Sequence, residues 1–267
     1  MSEGRIDFHN HIIPDVDDGS KSIEESLEMA RQAVDAGVSL IICSSHLNRR
    51  TWLPEYDAKV TQSMDALNKA LENASIPVTV KKGYEIAIDR HLSPLQSVFH
   101  GGLNQLPVFL IELPMMGTPL YMLSEFFEFH VNKFQVVIAH PERCIDFESK
   151  KEEFQRAIEM GVLIQLDAGS ITGQFGRKVK LAAEWLIKNK AAHFICSDAH
   201  STGSRSYLVY KEAIQIVTEK YGHSVAENLT ITNPSFLIKN ETSKIAPVIP
   251  EDKSLLSRII GWKSKGN

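Results

Sequence analysis

Arg5-Ile6-Asp7-Phe8-His9-Asn10-His11 is the stretch that decides how this chain is read. A short, largely apolar run ends abruptly in His-x-His. In an extended strand, residues i and i+2 point to the same side, so His9 and His11 can aim two imidazoles at one ion. The device returns near the far end as Ser197-Asp198-Ala199-His200, just past the run at 193–196. There a carboxylate and an imidazole, again two residues apart, replace the imidazole pair. Two such pairs at opposite ends of a chain point to a metal centre assembled by the whole fold, and so to a metallohydrolase.

Between these signatures, short apolar runs alternate with longer amphipathic stretches. Strands are predicted at 5–8, 38–43, 78–82, 108–111, 135–139, 162–166 and 193–196, and helices at 22–36, 55–73, 121–132, 151–160 and 177–189, with a further segment at 206–221 after the last strand. Ser22 stands three residues ahead of Glu25, the spacing of a capped helix start. Gly37 and Gly161 follow helical stretches and suit helix C-caps. Leu181 with Trp185, and Ala182 with Leu186, give one inward stripe at helical spacing. Ala168-Gly169-Ser170 reads as a turn, and 85–106, with Pro94, Gly101 and Gly102, as a loop with a short helix.

Alternating β and α segments argue a parallel sheet with helices outside. Seven β units in one composition regime argue a closed α/β barrel, expected to occupy residues 1–240 as one domain. Residues 241–267 form a tail in which Leu255-Leu256-Ser257-Arg258-Ile259-Ile260-Gly261-Trp262 is a short amphipathic helix candidate that docks on the barrel or frays, with a membrane-surface or partner-docking role as the alternative.

The bulk composition excludes several classes. The chain has 267 residues, 43% hydrophobic and 23% charged, with a net charge of -4. A nucleic-acid-binding face needs a basic excess that is missing here. Cys43, Cys144 and Cys196 are odd in number and form no C-x-x-C pair, which fits a reducing compartment. No apolar run approaches the roughly 20 residues of a membrane span, and residues 1–5 lack the apolar core of a signal peptide. A cytoplasmic protein is expected.

Six of the seven predicted strands deliver an Asp, Glu or His at the C-terminal end: His9 and His11, His46, Glu85, Glu112, His140, and Asp198 with His200. Barrel active sites sit at that face. Any one histidine there is more often a hydrogen-bonded structural residue, and Glu112 alone could pair with an arginine. The joint pattern carries the argument, because a buried, unpaired charge is costly and a metal compensates it. In the first loop Asp15, Asp17 and Asp18 precede Gly19. They read as a solvated turn or a helix cap, or, this soon after His-x-His, as the source of at least one ligand. Asp167, at the end of the sixth strand, could be a ligand, but the turn read at Ala168-Gly169-Ser170 weighs against it. Imidazoles and carboxylates without thiolates suit Mn, Fe, Zn or Co. So many ligands exceed one ion and fit two or three, the kind of site that serves hydrolysis.

The boxes Asp7-Phe8-His9-Asn10-His11, Asp15-Val16-Asp17-Asp18-Gly19, Ser45-His46, Gly83-Tyr84-Glu85, Ile111-Glu112, Ala139-His140-Pro141-Glu142-Arg143 and Ser197-Asp198-Ala199-His200 resemble the polymerase-and-histidinol-phosphatase (PHP) superfamily. Within it, the chain resembles the bacterial manganese-dependent protein-tyrosine phosphatases of capsule and exopolysaccharide operons. That resemblance implies a distorted (β/α)7 TIM-like barrel with a trinuclear centre. It implies the ligands His9, His11, Asp18, His46, Glu85, Glu112, His140, Asp198 and His200, with Glu85 bridging ions. It implies two or three divalent ions, manganese first, with Fe, Zn, Co or Mg as alternatives. Arginines would bind the substrate phosphate: Arg143, and Arg205 despite its departure from the family's arginine-proline form. Arg49 and Arg50 lie near the predicted mouth, meeting substrate or simply solvated. The implied substrate is a phosphotyrosine protein, the C-terminal tail of a membrane-bound bacterial tyrosine kinase.

Rival readings are a histidinol-phosphate phosphatase, a polymerase-associated exonuclease, and a non-enzymatic, metal-stabilised regulator of polysaccharide assembly. Cys43-Ser44-Ser45-His46-Leu47-Asn48-Arg49 also matches the C-x5-R pattern of cysteine-dependent phosphatases. It lacks the glycines of a phosphate-cradling loop, and Cys43 reads as the last apolar residue of a strand.

Overall fold

In a computed structural model, the described residues are 4–48, 50, 51, 53–90, 92 and 102–248. The tail helix expected at 255–262 and Arg49 lie outside them. The strands are β1 (Arg5–Asp7), β2 (Val38–Ile42), β3 (Ser45–Leu47), β4 (Thr79–Lys81), β5 (Tyr84–Ala87), β6 (Val108–Glu112), β7 (Gln135–Ala139), β8 (Leu163–Asp167) and β9 (Phe194–Cys196). All pair in parallel, as a three-stranded sheet β1-β2-β4 and a six-stranded sheet β3-β5-β6-β7-β8-β9.

This corrects the expected closed barrel: among the described residues the ladder does not close. The second and third β units each break and resume, at Cys43-Ser44 and Lys82-Gly83, so that each contributes one strand to either sheet. Crowding fixes the second break, since a Cβ on Gly83 would stand 2.7 Å from the carbonyl oxygen of Cys43. Irregular backbone bonds span the gaps. Asp198 N donates to His9 O and His11 N to Ala199 O, both at 2.8 Å, around an isolated parallel bridge Asn10–Ala199. Ser44 N donates to Asn10 O at 2.9 Å. First and last β units are therefore spatial neighbours.

The helices that position the site, all but α5 close to expectation, are α1 (Ile23–Asp35), α2 (Pro54–Asn73), α3 (Met122–Val131), α4 (Lys151–Glu159), α5 (Ala168–Thr172), α6 (Arg177–Lys188) and α7 (Tyr207–Tyr221). Ser22 caps α1, accepting from Glu25 N at 3.2 Å. Gly37 and Gly161 adopt φ of 80° and 90° after their helices, a region that favours glycine. Two local readings are corrected. Residues 168–170 are not a free turn but open α5, because Asp167 caps them through Gly169 N at 2.7 Å. On α6 the buried stripe is Ala182, Ala183, Leu186 and Ile187, while Leu181 is 51% exposed. Two short helices, α8 (His223–Glu227) and α9 (Asn233–Ile238), follow α7; their weak periodicity left them unread. No helix among the described residues is long and apolar enough to cross a membrane.

Both sheet faces are apolar. Phe109, Ile111, Val136, Ile138, Ile164 and Ile195 join the larger core with the helices, while Val108, Leu110, Val137, Ala139 and Phe194 form a smaller cluster on the opposite face. Strand alternation continues that second face into chemistry. Glu112 follows Val108 and Leu110 on β6, and Gln165 and Asp167 follow Leu163 on β8.

Candidate metal centre

Parallel strands end together, and their ends carry the polar residues. In the β3–β5 register His46 stands opposite Glu85, while Glu112 lies opposite Ala139. His140 follows at once on β7 with φ 31°, and Asp198 follows β9 with φ 48°. Left-handed backbone is uncommon for such residues and is found where surrounding structure imposes it, often at functional sites.

All nine expected ligands converge. Their donor atoms fall into four overlapping groups, with atoms within 4.8 Å of one another: His11, Asp18, His46 and His200; His9, His140 and Asp198; His9, His11 and Glu85; and His46, Glu85 and Glu112. Glu85 is the hub. Its two oxygens face Nε2 of His9 at 3.2 Å, Nε2 of His11 at 3.4 Å, Nδ1 of His46 at 3.2 Å and Nε2 of His140 at 3.0 Å. Asp18 Oδ1 lies 3.3 Å from His46 Nε2 and 3.4 Å from His200 Nε2. His9, His11, Glu85, His140, Asp198 and His200 are buried, whereas Asp18 is exposed and His46 and Glu112 half-buried. The cluster is thus closed below and open on one side.

Its electrostatics call for cations. Burial disfavours a charged imidazole, yet Glu85 and Asp198 outweigh it and lift His9 to about 9. Burial likewise opposes charge on His11, but Asp17 and Glu85 drive it well up. Glu85, fully buried, is held well below the usual carboxylate range because His9, His11 and His140 overcome its desolvation. Asp18 is pulled down by hydrogen bonding to His200 and His46. Glu112 goes the other way, pushed up to about 7 by burial and by the Glu85 charge. Divalent ions fit this arrangement. His9 Nε2, His11 Nε2, Asp198 Oδ1 and His200 Nε2 are buried without a hydrogen-bond partner, which is rare for polar atoms that have no further role.

Several neighbours escaped the sequence reading or were left undecided by it. Gln165 Oε1 accepts from His9 Nδ1 at 2.8 Å and from His140 N at 3.2 Å. The available signal was an amide set inside an apolar strand. Asp17 accepts from His11 Nδ1 at 2.9 Å and from His46 N at 3.2 Å. Of the loop acids, then, Asp18 faces the cluster, Asp17 backs a ring and Asp15 stays at the surface. Such partners fix the tautomer of a ligand histidine. Buried Asp7 accepts from Ser197 N at 3.0 Å and Ser197 Oγ at 2.7 Å, tying the first β unit to the last.

Both expected arginines reach the centre. Arg143 Nη1 lies 3.0 Å from Asp167 Oδ2 and 2.7 Å from Asp198 Oδ2, so Asp167 steadies an arginine. Arg205 Nη2 also pairs with Asp198 Oδ2, and the Arg205 carbonyl accepts from His200 N at 2.9 Å, pinning that loop. Arg50 is exposed. Cys43 is fully buried and burial pushes its thiol up to about 12, which denies it the thiolate that cysteine phosphatases require.

Known proteins carry the same architecture. Tyrosine-protein phosphatase YwqE of Bacillus subtilis (strain 168) is 33% identical over 241 residues, covering 89% of this chain and 92% of that protein. Tyrosine-protein phosphatase CpsB of Streptococcus pneumoniae is 27% identical over 243 residues, covering 88% and 99%. A solved structure described among "YwqE from Bacillus subtilis and CpsB from Streptococcus pneumoniae, unique metal-dependent tyrosine phosphatases" superposes with a TM-score of 0.82 at 31% identity, covering 92% of this chain and 99% of that one. The sequence model of the capsular polysaccharide synthesis family, CpsB/CapC, matches residues 5–239. On the family match and the likeness to YwqE together, this chain belongs to the CpsB/CapC family.

Proposed function

We propose that this chain is a metal-dependent protein-tyrosine phosphatase, a phosphomonoester hydrolase acting at the cluster around Glu85. The observation that carries the reading is the convergence of nine imidazole and carboxylate side chains with two arginines that share Asp198. His9, His11, Asp18, His46, Glu85, Glu112, His140, Asp198 and His200 would hold two or three divalent ions, manganese first and Fe, Zn, Co or Mg as alternatives, with Glu85, which faces four imidazoles, at the centre of the set. When bound, such ions acidify water and draw negative charge from phosphoryl oxygens.

The chain's own residues do the rest. Gln165 and Asp17 hold the Nδ1 protons of His9 and His11 in place, so that each Nε2 is the nitrogen that would deprotonate to take an ion. Arg143 and Arg205 anchor and neutralise the phosphate, since a guanidinium held by a carboxylate retains further donors for a planar anion. A tyrosine leaving group, with a pKa of about 10, departs with less protonic help than a serine alkoxide.

Residues 1–240 form one catalytic unit, a distorted (β/α)7 arrangement, with 241–267 as an appended tail. The Asn10–Ala199 bridge and the family match over 5–239 support that division. The cellular substrate is the C-terminal tail of a membrane-bound tyrosine kinase controlling capsular or exopolysaccharide synthesis, met in the cytoplasm. The names of the relatives support the phosphotyrosine specificity.

Purified chain with added manganese is offered p-nitrophenyl phosphate, a phosphotyrosine peptide, a phosphoserine peptide and histidinol phosphate. Metal-dependent turnover with preference for the phosphotyrosine peptide is expected. No turnover of any substrate sinks the enzyme reading, and a preference for histidinol phosphate replaces the substrate.

A further inference from the structure

A second depression adjoins the metal centre. Its volume is about 620 Å³, walled by Met115, Ile145, Phe175, Val179 and Leu181, with Arg143 at the boundary. Arg143 belongs to both spaces. Its Nη1 reaches Asp198 at 2.7 Å, while its guanidinium carbon lies 4.4 Å from the centre of the Phe175 ring. A substrate whose phosphate rests on this guanidinium therefore has the apolar wall directly beside it.

The wall is open to solvent, with Ile145 73% exposed and Leu181 51% exposed. Leu181 lies off the buried stripe of α6, so packing of the helix does not account for it. Large apolar side chains gathered at a concave surface next to polar, convergent groups mark a binding site. The volume falls among whole ligand pockets, roughly 300–1,000 Å³.

We propose that this groove receives an apolar side chain of the substrate polypeptide next to the phosphotyrosine, and so selects peptide context. The inference rests on the phosphatase reading above, and deepens it. The centre and Arg143 take the phosphate, which every phosphotyrosine shares. The groove takes what differs between phosphotyrosine sites.

Two fluorescent peptides carrying a non-hydrolysable phosphotyrosine analogue, one flanked by leucines and one by serines, are titrated with the manganese-loaded chain and read by anisotropy. The native chain binds the leucine peptide about tenfold more tightly, the scale of one partly buried aliphatic side chain. Leu181→Glu and Ile145→Asp, both at exposed positions, each reduce that preference to about twofold or less. Equal binding of the two peptides by the native chain, or a preference that survives both substitutions, overturns the proposal. Equal weakening of both peptides also overturns it, because the phosphotyrosine ring itself then occupies the groove. A dimer that Leu181→Glu dissociates in sedimentation overturns it too and assigns the face to a second copy. Failure of the phosphatase reading shows separately, as no turnover of p-nitrophenyl phosphate, which has no flanking residues.

Discussion

Replacing Gln165 with leucine removes one acceptor at little change in volume. The native amide oxygen lies 2.8 Å from His9 Nδ1 and 3.2 Å from His140 N, in a fully buried position. The first contact holds the Nδ1 proton of His9 in place, so that Nε2, which faces Glu85 and Asp198 at 3.2 and 3.3 Å, is the nitrogen that would give up its proton when a metal binds. The other tautomer would put a proton where a metal ligand needs electrons. Gln165→Leu leaves a buried N–H unpaired, which costs about 1–3 kcal/mol. That range agrees with the roughly 10–100-fold loss in affinity or activity on removing a ligand histidine's outer partner, since tenfold is about 1.4 kcal/mol. Manganese affinity should fall by roughly 10–100-fold, and turnover at limiting metal should fall with it and recover in part at excess metal. Metal titration by calorimetry, beside turnover of p-nitrophenyl phosphate, measures both. A leucine variant with native circular dichroism and native manganese affinity would refute the argument, for His9 would then be oriented without Gln165.

Further outcomes follow from other residues. His140→Ala should abolish turnover and lower bound metal in elemental analysis; full activity would remove His140 from the site. Cys43→Ser should leave activity largely intact, since burial keeps the Cys43 thiol at about 12; lost turnover with metal content retained would revive a cysteine mechanism. Chelation should lower the melting temperature, because buried carboxylates and imidazoles lose the ions that compensate them; an unchanged melt would argue against ions at the cluster. His193 is buried, which drops it from 6.5 to about 4, and its Nδ1 accepts from Ile164 N at 3.1 Å. Between those values the unfolded chain binds the extra proton, so stability is present above about 6.5 and is lost as pH falls toward about 4. The loss is worth up to about 3 kcal/mol. Urea unfolding at pH 7 and pH 4.5 should show it, and His193→Asn should shrink the difference; an identical pH dependence in the variant would exclude His193 as its source.

Eight of the nine candidate ligand positions, all but Asp18, were legible because each follows an apolar run at a predicted strand end, and alternation fixes the face a strand residue takes. Asp17 and Asp18 were not separable on the same grounds. Both lie in one loop, and only the folded loop turns Asp18 toward His46 and His200 while setting Asp17 behind His11. Gln165 left a signal, an amide between Ile164 and Leu166, but its purpose depends on His9, far away in sequence. The breaks at Cys43-Ser44 and Lys82-Gly83 had no periodic signature: the predicted strands stop at 43 and 82, and β3 and β5 were not read as strands.

What the chain determines by itself is the inventory and its order: seven β units, the residue types that end them, the helix caps, and the absence of thiolates among the ligand-type residues. These are consequences of local geometry, which neighbouring residues control. Tertiary structure alone decided that the ladder splits into two sheets, that Asp198 holds both arginines, and that Leu181 faces a groove instead of the core. Distances between strand ends and the cover over a helix face depend on how distant segments twist and pack, and no local spacing records that.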